Sequence, residues 1–494
     1  MSVMADILVN LLLGRAQEAP DARSYTFLAG GKESESLTFT QLHRRARAIG
    51  ARLQKLGAKG ERALLLYPSG TEYIAAFYGC LSAGSVAVPG YPPRVNHNLK
   101  RLESILNDAR PIAALTTEAI YKQLRGRFEE SPALARLHWV FTDQVPDEEA
   151  DAWIDPNATA DTLAFLQYTS ASTSAPKGVM VNHGNILHNQ MLMKEAVQHD
   201  RNTVVVSWLP LFHDMGLISV VLASLYNGVP CYLVAPVDFL KKPQLWLDAI
   251  SRYGGTFSGA PDFGYQLCIE RITAEERANL DLSTWRVAFN GSEPVRADTL
   301  RRFSEAFAPC GLRRGAMFPC YGLAENTLFA TGRFHDEPTS FSRGSLELGH
   351  PMPARGAQST QLVSCGGALL DTRVVIADPA SRGRCGEREI GEIWLASPSV
   401  AQGYWGQPET TEHTFRARLT DNDGPFMRTG DLGFLHKGEL FVTGRIKDLI
   451  IMRGRNIAPQ DIEQTVEGCE PAIRPAFVAA VSVESNGCFA LERC

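Results

Sequence analysis

The sequence predicts an α/β protein: a large N-terminal domain of layered, mostly parallel sheets with helices, plus a β-rich subdomain, and then the start of a small α+β C-terminal domain. Three observations predict it. Short apolar runs alternate with amphipathic helical stretches through the first half of the chain. After about residue 344 that texture gives way to short strands separated by turns. The length, 494 residues, exceeds what one core serves and leads us to expect about two to four domains or subdomains. The expected units are 1–343, 344–446 and 447–494.

The elements follow in order. Residues 7–13 are apolar and predict a first amphipathic helix ending near Gly14. Asp6 stands where a signal peptide carries positive charge, and no run reaches the ~18 apolar residues of a membrane span. Leu42, Ala46, Ile49, Leu53 and Leu56 recur at helical spacing, with Gly57 where a C-terminal cap belongs. Residues 63–67 form a short apolar run bounded by Pro68 and Gly70, which reads as a buried strand. Gly84 ends the next helix, and 85–89 begin a strand. Further strands are expected at 112–115, 139–141, 163–168, 204–208 and 229–234. The β-rich part carries strands at 373–376, 392–395 and 439–443, with a turn at Asn422, Asp423 and Gly424. A helix is expected from Pro459, with Ile462 and Val466 one turn apart, and a strand at 476–483.

Composition excludes some functions. Net charge is −5 and pI about 6.2, so nothing suggests the basic stripe of a nucleic-acid binder. Ten cysteines are scattered without a C-x-x-C pair. They form neither a metal-site pattern nor a disulfide framework, and a reducing cytoplasm is expected.

The chemistry concentrates first at 167–181. Two predicted strands flank a loop of small residues: Thr169, Ser170, Ala171, Ser172, Thr173 and Ser174, closed by Pro176, Lys177 and Gly178. Hydroxyls and free backbone N–H groups donate to phosphate oxygens. Lys177 adds a mobile positive charge, and Gly178 permits close backbone approach. The loop is not a Walker A motif, and an ordinary Ser/Thr-rich loop would use the same residue types.

This loop resembles the signature loop of the adenylate-forming superfamily: acyl-CoA synthetases, nonribosomal peptide adenylation domains and luciferases. The family form reads T-S-G-S-T-G-x-P-K-G. Here Ala171 and Ser174 stand where the family has glycines. Ser174 is at home in one branch, the fatty acyl-AMP ligases, whereas Ala171 is a departure. If its position needs a positive φ, alanine costs about 1 kcal/mol or more relative to glycine. Slower catalysis with binding retained is then expected.

Further motifs run in the family's order across about 280 residues. Phe212, His213, Asp214, Met215 and Gly216 resemble the segment at the acyl and ATP sites. As bare residues, His213 and Asp214 also suit a helix N-terminus, with Asp214 as cap. Gly291, Ser292 and Glu293 follow an apolar strand at 287–289 and are similar to the adenine-binding turn; such turns sit at a sheet's carboxyl edge, where α/β folds bind ligands. Tyr321, Gly322, Leu323, Ala324 and Glu325 match the family's tyrosine–glycine–acid motif. The tyrosine offers a stacking face, and the acid is placed for Mg²⁺. Asp431, after Thr429 and Gly430, matches the ribose-binding aspartate. Arg445 and Lys447 match the segment that joins the large domain to the small one.

The resemblance implies ATP as cosubstrate and Mg²⁺ held by Glu325 and Thr173. Lys177, His213 and Glu325 would be catalytic, with Lys177 neutralising the leaving pyrophosphate and His213 steering the carboxylate. Phe212, Asp214, Met215, Gly216, Ala260 and Pro261 would meet the acyl chain. Several strings look like the fatty acyl-AMP ligase branch, including 260–265, 281–286 and 319–325. The 106 residues from Glu325 to Asp431 include extra length at 333–364, where that branch carries an insertion; an ordinary surface loop is the plain alternative. The branch implies a fatty acid substrate and transfer to the phosphopantetheine arm of an acyl carrier protein. An acyl-CoA ligase, an amino-acid adenylation domain and a catalytically impaired acyl-adenylate-binding protein remain alternatives. The family's C-terminal catalytic lysine has no counterpart, because no lysine follows Lys447.

Overall fold

The computed structural model describes residues 7–92, 99–129, 131–169, 176–335 and 337–448. Beyond these it describes only short stretches: 450–452, 455–457, 462–463, 466, 480, 482–485 and 488–491. Two large sheets carry the expected α/β layers. The first has six strands in the order His138–Phe141, Ala113–Thr116, Arg62–Leu66, Val86–Gly90, Leu163–Tyr168, Gly178–Asn182. Its first five strands are parallel, and the last pair is antiparallel. The second has eight strands, with Met317–Gly322, Val287–Asn290, Phe257–Ala260, Val205–Ser207, Cys231–Val234 and Arg23–Ala29 in parallel succession. Antiparallel strands Phe329–Gly332 and Lys32–Thr38 close its two edges.

The helix Thr71–Ala83 explains how the layers join. It touches strands of both sheets, and nearly every residue in it is buried. Phe77 within it packs edge-on against Phe165, 5.8 Å between ring centres. Burying one such ring contributes roughly 2–3 kcal/mol. The helix Phe39–Lys55 packs beside it and begins with a reciprocal cap: Gln41 N–H donates to Thr38 Oγ1 at 3.2 Å, and Thr38 N–H to Gln41 Oε1 at 2.9 Å. Leu42, Ala46, Ile49 and Leu53 form its buried face and Gly57 follows in the left-handed region, as the spacing predicts, whereas Leu56 is the C-cap and is exposed.

The β-rich part is a four-stranded antiparallel sheet of Arg373–Ala377, Gly391–Ala396, Met427–His436 and Glu439–Arg445. Residues 333–364 are more than an ordinary loop. Thr339–Ser342 pairs with Ser359–Leu362, and Phe341 is fully buried against Phe434 and Phe441 of the larger sheet.

Three expectations need correction or limits. The first helix runs Leu8–Glu18, past Gly14. A lone helical glycine costs only about 1 kcal/mol, and Arg15 beyond it bonds the carbonyls of Leu225 and Tyr226. The strand Met427–His436 was not foreseen, because Gly430 and Gly433 interrupt its apolar alternation. Most of the expected helix from Pro459 and the first part of the strand at 476–483 lie outside the described residues, although Ile462, Glu463 and Val466 are helical and Ser482–Ser485 is a strand.

Candidate active site

The loop motif sits on a hairpin. Leu163–Tyr168 and Gly178–Asn182 pair antiparallel, with Tyr168 opposite Gly178, and Thr169 N–H donates to the Lys177 carbonyl at 3.3 Å. Ser170, Ala171, Ser172, Thr173 and Ser174 lie outside the described residues. Gly178 is required by close approach: a β-carbon there would stand 2.9 Å from the Tyr168 ring. Residues 402–405 add a further edge to the hairpin. Met180 N–H donates to the Gly403 carbonyl at 2.9 Å and Trp405 N–H to the Gly178 carbonyl at 2.8 Å. This places the Tyr404 ring under Lys177, with Nζ 4.6 Å from the ring centre.

The His213 segment is tied to the same hairpin. Gln167 Nε2 donates to the Phe212 carbonyl at 3.3 Å, and Leu211 N–H to Ser69 Oγ at 3.3 Å. His213 is the N-cap of the short helix Asp214–Gly216, and its Nδ1 lies 2.6 Å from Asp214 Oδ1. Burial disfavours the charged imidazole, but the Asp214 carboxylate outweighs it, and the His213 pKa stands above its ordinary value. The chain then continues as a π-helical stretch, Leu217–Leu222, a geometry frequent at functional sites. Ser219 Oγ donates to the Met215 carbonyl at 2.5 Å across this widened turn.

Met215 and Ser219 thereby face one apolar cavity. Its wall includes Met193, Val197, Phe257, Phe289 and Phe318, none of which the motifs point to. Asp214, Ser292, Tyr321 and Gly322 complete its polar side. Phe212, Gly216, Ala260 and Pro261, expected at the acyl chain, lie outside this lining. Phe212 packs against Tyr91, 5.1 Å between ring centres. A β-carbon at Gly216 would run into the Pro210 carbonyl oxygen. Ala260 is fully buried in its strand opposite Asn290. Pro261 is the residue before the helix Asp262–Arg271.

On the polar side of the cavity, Tyr321 is the last residue but one of the strand Met317–Gly322, and its hydroxyl donates to Asp431 Oδ2 at 2.7 Å. Arg445 Nε donates to Asp431 Oδ1 at 3.0 Å across the strand pair. Burial raises the Asp431 pKa, Arg445 and Tyr321 oppose the rise, and Asp448 adds to it. A buried ion pair fixes the backbone here. Glu392, 2% exposed, takes Arg428 at 2.7 Å, Trp394 Nε1 at 2.9 Å and the Gly430 N–H at 3.1 Å.

Glu325 sits in the turn Ala324–Asn326, with Ala324 buried beside it. The Glu325 carboxylate accepts from Tyr404 at 2.8 Å. Burial, then the charges of Asp214 and Asp431, raise its pKa against the Tyr404 hydrogen bond. Leu323 N–H donates to the Leu328 carbonyl at 2.9 Å. That fold-back leaves no room for a side chain at Gly322, whose β-carbon would run into the same carbonyl oxygen.

Two expected nucleotide-site residues point elsewhere. Glu293 accepts the Phe263 N–H at 2.6 Å, capping the first turn of the neighbouring helix. Lys447 is exposed in the turn Ile446–Asp448, with no contact to the site among the described residues. Gly291 and Ser292 hold the turn after Val287–Asn290. Gly291 lies against Cys320, and Ser292 takes a φ of +74°. Tyr404 was missed by sequence reasoning, since its only local signal is a glycine–aromatic pair ahead of the helix Pro408–Phe415.

Known proteins resemble this chain over most of its length. The chain is 46% identical over 493 residues to a medium-chain-fatty-acid–[acyl-carrier-protein] ligase, JamA, of Moorena producens, covering 97% of this chain and 83% of that protein. It is 36% identical to a long-chain-fatty-acid–AMP ligase, FadD32, of Mycolicibacterium smegmatis, covering 94% and 78%. A fatty acyl-adenylate ligase from L. pneumophila, solved with acyl adenylate and pyrophosphate, superposes with a TM-score of 0.87 at 39% identity, covering 99% of this chain and 86% of that one. The family model described as AMP-binding enzyme matches residues 13–405, and the chain belongs to that family.

Proposed function

We propose that this chain activates a fatty acid as its acyl adenylate, releasing pyrophosphate, and passes the acyl group to the phosphopantetheine arm of an acyl carrier protein. The observation that carries the reading is the double role of Tyr321. It lines the apolar cavity and holds Asp431 by a 2.7 Å hydrogen bond, so an acyl site and a ribose-type acceptor adjoin. Relatives with the names given above support the same substrate class.

Each residue has a definite task in this reading. A carboxylate oxygen of the fatty acid attacks the α-phosphorus of ATP, and the bond to the bridging oxygen of pyrophosphate breaks. The cavity wall orients the chain and excludes water beside the reacting carboxylate. His213, kept cationic over a wider pH range by Asp214, attracts that carboxylate. Asp431 accepts from ribose hydroxyls while Tyr321 and Arg445 fix its orientation. Lys177 neutralises charge developing on the leaving group.

Glu325 suits Mg²⁺. Among the described residues no cluster of three His, Cys, Asp or Glu side chains forms a ready cage, but Mg²⁺ needs only one or two carboxylates plus phosphate oxygens. The Glu325 carboxylate, which accepts from Tyr404, is close enough to Asp214 and Asp431 to feel both charges, and a cation relieves that repulsion. When bound, the metal withdraws charge from the phosphate oxygens. Thr173 would be its second protein partner.

The reading keeps the units 1–343, 344–446 and 447–494, with Lys447 at the hinge. A cytoplasmic setting belongs to it as well, supported by seven described cysteines that are all free thiols. No described helix is long and apolar enough to cross a membrane.

A panel of fatty acids with ATP, assayed with and without CoA, tests the proposal. Fatty-acid-dependent pyrophosphate release with accumulation of acyl-AMP is expected. Rapid acyl-CoA formation overturns the carrier-protein branch of the reading, and absence of fatty-acid-dependent pyrophosphate release overturns activation itself.

A further inference from the structure

We infer that Tyr404 is a positioning residue that keeps the Lys177 ammonium and the Glu325 carboxylate apart, so that each stays aimed at a nucleotide phosphate group and its divalent cation. The inference rests on the roles proposed above for Lys177 and Glu325.

The geometry carries it. One side chain contacts both groups: its ring face takes the ammonium at 4.6 Å, and its hydroxyl donates to Glu325 Oε1 at 2.8 Å. Among the described residues Lys177 makes no ion pair. Opposite charges in one half-buried site attract strongly. A direct Lys177–Glu325 pair would cancel the charges that a triphosphate and its cation need. A tyrosine between them satisfies each in a different way: the ring face attracts the cation, and the phenol hydrogen serves the anion.

The tyrosine itself is built in. It is 7% exposed. Its N–H donates to Thr411 Oγ1 at 2.9 Å, and its ring meets Phe415 edge-on at 5.1 Å between centres. Gly403 ahead of it has φ +136°, and a β-carbon there would run into the Thr411 side chain, so no larger residue fits. Ala401 N–H donates to the Glu325 carbonyl at 2.9 Å, and Tyr404 bridges Val179. The segment 401–405 therefore fixes the backbones of both groups while Tyr404 sets their side chains.

The test uses the full chain with Tyr404→Phe and Tyr404→Leu, beside Lys177→Ala and Glu325→Gln. Steady-state pyrophosphate release is measured against ATP, Mg²⁺ and fatty acid, together with the melting temperature. Tyr404→Phe keeps the ring and removes the hydroxyl. It should raise the Mg²⁺ needed for half-maximal rate about ten-fold, with the fatty acid KM within about two-fold of wild type. Tyr404→Leu should also raise the ATP KM, because the ammonium loses its platform. The inference is overturned if Tyr404→Phe matches wild type while both control variants collapse. It is equally overturned if Tyr404→Phe shifts all three constants alike together with the melting temperature, which marks a merely structural role. If both control variants keep full activity, the site reading falls and the inference falls with it.

Discussion

At the scale of single residues, the site runs on charges whose neighbours set their protonation. Asp214 raises the His213 pKa against burial and Arg101. A histidine raised above its unfolded value of about 6.5 stabilises the fold fully below that pH, and the contribution disappears as pH rises through the folded value. Asp214→Asn should therefore move the His213 titration to lower pH, read by the histidine ring signals in an NMR titration. An unchanged midpoint would sink the assignment of Asp214 as the cause. Gly322→Ala should cost about 1–3 kcal/mol in denaturant unfolding, because its methyl meets the Leu328 carbonyl and the turn carrying Glu325 must shift. Lys177, Glu325, Asp431 and Arg445 are candidates from the sequence because each sits in a short string that resembles a family motif. Tyr404 was not, since nothing within a few residues of it reveals a lysine 227 positions away.

At the scale of elements, stability and site geometry share the same contacts. The strand pair Gly391–Ala396 and Met427–His436 buries the Glu392–Arg428 ion pair, and Glu392 also holds the backbone next to Asp431. Arg428→Ala leaves an uncompensated buried carboxylate and should cost about 3–5 kcal/mol in urea unfolding. A loss below about 1 kcal/mol would mean that the pair contributes little. The helix Phe39–Lys55 gives a milder case. Thr38→Ala removes one half of its reciprocal cap and should cost about 1 kcal/mol, with pyrophosphate release unchanged. Several elements were readable beforehand, as Leu42 to Leu53 and the apolar runs illustrate. The strand Met427–His436 escaped because its glycines hide the alternation, and its pairing partners on both sides supply what its own sequence lacks.

At the scale of the whole molecule, the cavity is the feature no segment contains. Its wall joins Val197 of the helix His183–Val197, Met215 beside the π-helical stretch, and Phe257, Phe289 and Phe318 from three neighbouring strands. Filling it with Val197→Phe should shift the preferred fatty acid to shorter chains, measured as kcat/KM across a chain-length series. Each methylene excluded forfeits roughly 0.8 kcal/mol of burial, about four-fold in affinity. An unaltered preference would remove the cavity from the acyl path. The sequence by itself determined the α/β layering and the order of the chemistry-bearing strings. Both are written in local periodicity, turn residues and fixed spacings, which act over a few positions. Only the tertiary structure decided which aromatic lies under Lys177, that Glu293 turns to the Phe263 amide, and which side chains wall the cavity. Those contacts join residues that are distant in the chain, and they exist only once every layer has packed.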